Sequence, residues 1–549
     1  MHVIDPETLK GCCQTSRLER APFEDCFRSA TGRIVRTARI ESHGAPNADA
    51  TAACGALQAQ YPKQVAGSAF DLNLTLAFDY TQTRTDYWSL ANADVKPACI
   101  FFPGAADEIA FAVKTLNNYP NAPWAVKGGG HNANIGYSST QDGVLIATKE
   151  NMAYTKYDPD TQLAHVGPGN RWIDVANALD PYNRAVVSGR LGVVGAAGLT
   201  LGGGLSFLST EYGMTADNVV EYKVVTAAGE MTTASQTQNT DLFYALKGGG
   251  NQFAIVTEYI MKTYPIGQVW GGHKIYTIDK KSALLNATHN LVSNYSDPKA
   301  AIIMSFSSTI DTLVDIFVVF YFYNGPEMGS ILAEFDAIPA LIDATKPNRK
   351  YKDLIDSNSA FSVDGLRFLI RTGTLPNLPG DQGIDLYNNC FDTWYSLGKK
   401  SQLGELDNYV FSLAFQPVPH QLAQASISSP YSVNLLGLDP KLGDKVFMEY
   451  NVAWLSSGTD EKAAAAITAQ TQPVQDYRKE KYAGVKPTNY QSGDLEFAAS
   501  RPLFMNDAMF NQDPLKSYPD DVYARLKQIQ SQRDPDGFFA KRTGGFKFE

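Results

Sequence analysis

The chain lacks most of the signatures that identify common protein classes. No stretch of its 549 residues approaches the ~20 consecutive apolar residues of a membrane-spanning helix. No basic run is present. With a net charge of −10 and an isoelectric point near 5.3, neither nucleic acid nor an anionic membrane is an expected partner. There is no G-x-x-x-x-G-K-[ST] loop, and no G-x-G-x-x-G between a strand and a helix. P-loop and Rossmann nucleotide sites are therefore not expected. G-x-S-x-G, H-E-x-x-H and paired C-x-x-C are also missing, and the seven histidines lack ligand spacing, so no metal site is expected. Six cysteines are too few for a disulfide framework, although a Cys54–Cys99 bridge is compatible with the sequence. The first ten residues hold no apolar signal-peptide segment. Three N-x-[ST] patterns, at Asn73, Asn286 and Asn294, nevertheless point to the secretory pathway.

What the chain does have is 44% hydrophobic and 19% charged residues, the balance of a folded protein long enough for two or more domains. Residues 1–45 are polar and aperiodic and are expected to be poorly ordered. Glycine is clustered. The strand-like Trp124-Ala-Val ends in Lys127, Gly128, Gly129, Gly130 and His131. Three glycines in a row either make a tight turn or offer backbone N–H groups to an anion at close range. The second cluster, Gly189 to Gly204, suits either a loop lying on a flat ligand or a buried crossing of two elements. A third, Lys247 to Thr257, again sets glycines beside an apolar strand. Helices are expected from Thr51, over Asp107–Tyr119 with Ile109, Ala110, Val113, Leu116 and Asn117 on one side, and over Trp172–Leu179. Beyond Pro265 long strands (301–307, 313–323, 409–415, 446–454) alternate with helical patterns (281–295, 330–342, 384–399, 460–482). This is an α+β arrangement, an antiparallel sheet with helices on one face.

Five segments in order resemble the FAD-linked oxidases with a PCMH-type FAD-binding domain, within the vanillyl-alcohol-oxidase superfamily. They are K-G-G-G-H at 127–131, V-G-P-G-N-R-W at 166–172, G-L-T-L-G-G-G at 198–204, Y-G-M-T-A-D-N-V at 212–219 and K-G-G-G-N-Q-F-A-I-V-T at 247–257. The tail motifs D-P-D-G-F-F and G-G-F-K-F agree. The chain is most similar to the berberine-bridge-like and 6-hydroxynicotine-oxidase-like branch, including fungal secondary-metabolite oxidases. The resemblance implies a two-subdomain FAD-binding domain over 46–265 and 486–549. A substrate domain, a large antiparallel sheet backed by helices, would span 266–485.

It also implies FAD bonded through its 8α carbon to His131, with Lys127 and Gly128–Asn132 around the pyrophosphate. Arg190, Val194, Gly195, Gly198, Leu199, Gly202, Gly203 and Gly204 would lie along the flavin. Asn218, Ile255 and Val256 would hold the ribityl and adenine parts, with Asn506 near the flavin. Many relatives add a cysteinyl link just before a V-G-x-x-G element; Leu191–Val193 holds no cysteine, so a single link is expected. The implied activity is oxidation of a small secondary metabolite, with O2 reoxidising the flavin to give H2O2. The alternatives are an oxidative cyclase and, less favoured, a non-catalytic binding protein. Where relatives carry N-Y-A-D this chain reads Asn506-Asp507-Ala508, so Asp507 is a candidate base. Tyr321, Glu449 and Asn451, on strands of the second region, are further candidates to face the flavin.

Overall fold

The computed structural model describes residues 47–67, 73–309, 314–404 and 410–548. The expectation for 1–45 lies outside them. The first layer begins with α1 (Ala48–Gln60), β1 (Val65–Ala66), β2 (Cys99–Phe101), α2 (Ala106–Asn117), β3 (Trp124–Lys127) and β4 (Val144–Ala147). Its strands run in the order β1-β2-β4-β3, with β2 and β3 parallel to β4. Cys99-Ile-Phe101 and Val144-Leu-Ile-Ala147 are buried on both faces, which is why they read as continuous apolar runs. The Cys54–Cys99 disulfide fastens α1 to β2. On α2 the expected apolar side is buried except for Asn117, which is exposed and donates to the Ala227 carbonyl at 2.9 Å.

The second layer holds β5 (Thr155–Asp158), β6 (Leu163–Val166), α3 (Trp172–Leu179), β7 (Val219–Val225), β8 (Met231–Ser235) and β9 (Ile255–Lys262), its five strands antiparallel in the order β5-β6-β9-β7-β8. Val225 and Ile255 pack into the first layer's core, so the two layers share a seam.

The third layer is an eight-stranded sheet. Its long strands are β10 (Val269–Thr277), β11 (Ala300–Thr309), β12 (Asp315–Tyr323), β13 (Arg367–Pro376), β14 (Val410–Val418) and β15 (Lys445–Trp454), in the order β10-β12-β11-β14-β15-β13. Strand alternation gives the sheet two unlike faces. Met304, Phe306, Val319, Tyr321, Leu413 and Tyr450 pack beneath the helices α4 (Lys281–Ser293), α5 (Asp381–Gly404) and α6 (Asp460–Tyr482). Their neighbours Ile303, Phe320, Phe322 and Ala414 face Val187, Phe207 and Leu208 of the glycine-rich region. At the sheet's far end Arg367 ties the layers, paired with Asp94 of the first layer and with Asp460 at 2.6 Å.

Two features depart from the sequence reading. The helix expected over 330–342 is only Ser330–Leu332 and Ala333–Asp336, followed by the short strand Ile342–Asp343; Pro339 stops it from continuing. β10 and β13 were not expected, because Gly271-Gly272 and the polar Arg367–Thr374 weaken a strand pattern. The final helix α7 spans Asp520–Arg533, and Arg533 grips Asp241 through two bonds of 2.6 and 2.8 Å. Beyond it the tail returns to the first layer, where Arg542 caps the carbonyls of Leu116, Tyr119 and Ala122 at 2.9–3.0 Å.

The disulfide closes a sequence separation of 45 residues. Replacing both cysteines by serine should cost about 4 kcal/mol by loop-closure entropy. A denaturation series should show a lower midpoint for the first layer, which a reductant reproduces in the wild type and leaves unchanged in the variant.

Candidate active site

The first glycine loop begins where β3 ends. Its course is set by two close backbone approaches. A Cβ on Gly129 would lie 2.5 Å from the Gly195 Cα, and one on Gly130, whose φ is +70°, would lie 2.8 Å from the Asp86 carbonyl. The first and second glycine clusters therefore cross in contact, so the crossing weighed for Gly189–Gly204 is present. Lys127 does not point toward the loop's outer side. Its ammonium is buried, donates to the Thr83 carbonyl at 2.9 Å and sits 4.5 Å above the Tyr87 ring. Burial lowers its pKa to about 8 against the pull of Asp86. The expectation that Lys127 contacts the cofactor is corrected to a supporting role. Asp86 gathers Lys149 at 2.6 Å, Arg171 at 3.0 Å and Lys127 at 3.9 Å beneath the loop. These charges hold its carboxyl low although burial opposes them.

On the other side, the N–H groups of Gly128, Gly129 and Gly130 have no backbone acceptor among the described residues. The Cβ of Ala197 lies 3.7 Å from where one on Gly128 would stand, and beside it Gly198 is exposed, with nothing within 4 Å of its missing Cβ. A row of backbone donors without acceptors fits an FAD pyrophosphate. Asn132 is exposed and its carboxamide oxygen accepts from Asn134 N–H at 2.8 Å, which shapes the loop's exit. Asn134 in turn donates to the Ala508 carbonyl and accepts from Phe510 N–H, both at 2.9 Å, joining the loop to the C-terminal segment.

His131 lies flat on Trp88, ring centroids 4.6 Å apart and planes 7° apart, and Trp88 stacks in turn on Phe368 of β13. Its Nε2 is 3.3 Å from Ser362 Oγ. Burial, and secondarily the Arg171 charge, lower the imidazole pKa to about 4. At neutral pH the ring is uncharged and keeps a nucleophilic nitrogen lone pair. Arg171 lies in the V-G-P-G-N-R-W motif, although its role here was not expected; no motif marked Trp88, Asp86 or Ser362, which reach the site only through tertiary packing.

The rest of the second cluster is shaped by protein contacts. Val194 accepts from Trp172 N–H through its carbonyl, at 3.0 Å. Asn506 reaches into the cluster, donating to Leu199 O at 3.1 Å and accepting from Gly204 N–H at 3.2 Å. A Cβ on Gly202 would strike the Asn506 carboxamide, and one on Gly203 would crowd Leu436 at 3.3 Å. Gly202, Gly203 and Gly204 thus answer to Asn506, Leu436 and Thr215. Asn218 is also corrected. It is wholly buried, gives its amide to the Tyr212 and Met214 carbonyls and accepts from Tyr264 Oη at 2.6 Å, leaving nothing for a ligand. Ile255 and Val256 are buried on opposite sides of β9, in the first-layer and second-layer cores.

The chemistry gathers where the sheet's open face meets this region. Glu449 and Asn451 of β15 share that face, and their side chains are hydrogen-bonded to each other. Gln416 of β14 donates to Asp507 Oδ2 at 2.8 Å and accepts from Arg190 Nη2. Arg190, expected along the flavin, also serves this cluster. Burial raises both carboxyls. Glu449 goes well above the usual carboxylate range, helped by the Asp507 charge and opposed by Arg190; Asp507 rises less, held back by Gln416 and Arg190. Tyr321 does not join them. It lies on the helix-covered face, bonded to Tyr276 Oη at 2.8 Å, because odd and even positions of β12 face opposite ways. Gln416 was missed, since a lone glutamine on a strand carries no motif.

Gly129→Ala should unfold the crossing and lose both stability and bound flavin. Gly198→Ala should leave the melting temperature unchanged and reduce flavin content alone, because its side chain enters only the open space. Absorbance of bound flavin per chain beside a melting curve tests both.

Comparison with known proteins agrees. Residues 97–235 match the family described as FAD binding domain. An uncharacterized FAD-linked oxidoreductase of Arthroderma benhamiae is 32% identical over 484 residues, 87% of this chain and 92% of that one. An FAD-dependent monooxygenase of Aspergillus calidoustus is 28% identical over 541 residues, 96% and 98% of the two chains. Among solved structures, glucooligosaccharide oxidase from Acremonium strictum, whose FAD is 6-S-cysteinyl and 8α-N1-histidyl, superposes with a TM-score of 0.66 over 90% of this chain and 99% of its own, at 18% identity. 6-Hydroxy-D-nicotine oxidase from Arthrobacter nicotinovorans gives 0.64 over 85% and 96%, also at 18% identity. The glycine loops, the paired layers behind them and these relatives together place the chain in the FAD-linked oxidoreductases with a PCMH-type FAD-binding domain.

Proposed function

We propose that the protein is an oxidase of a small secondary metabolite, with FAD tethered once, through His131. The observation that carries the oxidase reading is the half-buried carboxyl pair Glu449 and Asp507, set with Arg190 and Gln416 on the sheet face that meets the glycine loops. Bound FAD would supply hydride acceptance from a substrate carbon and electron transfer to O2, yielding H2O2. The protein's share is proton handling. Asp507, kept unprotonated on Oδ2 by the Gln416 donor, accepts the substrate's hydroxyl proton. Glu449 stays neutral beside it, because two adjacent carboxylates against one guanidinium would be one charge too many in a half-buried site.

The single tether is supported by the neutral, stacked imidazole of His131 and by the cysteines. Among the described residues the one free thiol, Cys390, is buried in the core 3.5 Å from Tyr450 Oη, on the helix side of the sheet. The Cys54–Cys99 bond and the exposed acceptor residues Asn73 and Asn294 support passage through the secretory pathway. A carboxyl that holds a proton also favours a second reading, an oxidative cyclase, in which Glu449 returns a proton to a rearranging product.

Acid-denatured wild type should retain flavin fluorescence on the polypeptide, and His131→Ala should lose it; a mutant that keeps the fluorescence removes the single-tether reading. With substrate, kcat should follow a bell, rising as the pair loses its first proton near about 6 and falling as it loses the second near about 8. Asp507→Asn should lower kcat by about 10²–10⁴-fold. Unchanged turnover in that variant overturns the base assignment. Peroxide equal to product is expected in both readings; an oxidised product without a new ring supports the oxidase, and a product that has gained a ring supports the cyclase.

A further inference from the structure

Gln416 is the neutral link between the site's cation and its acids. The amide orientation follows from its partners. A guanidinium has only donors, so the carboxamide oxygen must face Arg190, and the nitrogen is left to face Asp507. A donor aimed at Asp507 Oδ2 requires a lone pair there. Glu449 has no such enforced donor: it is bonded to Asn451, an amide that can turn to give or accept. The groups facing the pair are Arg190 from the loop after Val187, Gln416 from β14, Glu449 and Asn451 from β15, and Asp507 from the C-terminal segment. Tyr351 adds a phenol near Arg190, with its hydroxyl 3.0 Å from Ser188 Oγ. No second cation stands among them.

We propose that Gln416 is a positioning residue: by relaying the polarity of Arg190 it keeps the pair's single proton on Glu449 and off Asp507. The proposal deepens the oxidase reading and rests on its assignment of Asp507 as base. No bond to carbon is made or broken in this step; one proton is distributed between two carboxyls. In Gln416→Met, which keeps the side chain's length but has neither donor nor acceptor, Asp507 loses its hydrogen bond and the charge behind it, and takes up a proton at higher pH. Gln416→Glu gives the same result by a different route, since a carboxylate pairs with Arg190 but cannot donate to Asp507.

The test is infrared titration of the protonated-carboxyl band in the flavin-loaded protein from about pH 5 to 9. In the wild type at neutral pH that band should vanish in Glu449→Gln and persist in Asp507→Asn. In Gln416→Met, and independently in Gln416→Glu, a second component should appear that Asp507→Asn removes, with the Asp507 midpoint raised by about one unit, a tenfold change in proton affinity. Circular dichroism and flavin content identify which variant is folded. Wild-type titration in a folded Gln416 variant, or a wild-type band that depends on Asp507 instead of Glu449, overturns the proposal. If the bands behave as expected but Asp507→Asn turns over normally, the base assignment fails and the proton placement stands.

Discussion

The backbone contact between Gly129 and Gly195 is the constraint on which the rest depends. Two loops from different layers pass so closely that neither can carry a Cβ. That contact brings the unpaired N–H groups of Gly128–Gly130 beside the exposed Gly198, and it sets where His131 emerges. Everything behind the crossing holds it in place. Asp86 and its three cations lie under the first loop, and Asn506 is threaded into the second. The glycines are thus demanded twice over, on one side by packing against protein and on the other by the space left for a ligand.

The second organising fact is the division of the large sheet into a dry face and a working face. One face is closed by three long helices and holds aromatic and aliphatic side chains. The other meets the glycine-rich region and, near β14 and β15, carries Gln416, Glu449 and Asn451. Charges there are only partly screened by bulk water, since Arg190, Glu449 and Asp507 are half-buried. Each is balanced by a specific neighbour, and the balance of two carboxyls against one guanidinium leaves one proton in the cluster. His131 answers to the same physics from the opposite sign, since burial near Arg171 keeps it neutral. A nucleophilic imidazole and a proton-holding acid pair are both consequences of excluding water.

Much of this was legible in the residues. The glycine clusters, the apolar sides of α2 and α3, and the apolar runs of the parallel strands follow from local rules of chain geometry, which sequence carries directly. Legibility ended where a side chain's role depends on which way its element faces. Tyr321 and Glu449 look equally eligible on paper, but each strand alternates its faces, and only the docking of the sheet decides which face works. Lys127 and Asn218 sit inside the right motifs yet point into the protein, because their partners Thr83 and Tyr264 come from distant parts of the chain.

The amino-acid sequence by itself determined that the chain builds glycine loops able to seat a dinucleotide, that His131 closes the first of them, and that no cysteine stands before Val194 for a second tether. These are matters of residue type and order. The tertiary structure alone decided that Arg190 bonds Gln416 beside the acids, that Gln416 joins Arg190 to Asp507, and that Trp88 supports His131. Such roles arise from contacts between residues far apart in the chain, set by layer packing and strand register, and no local pattern records them.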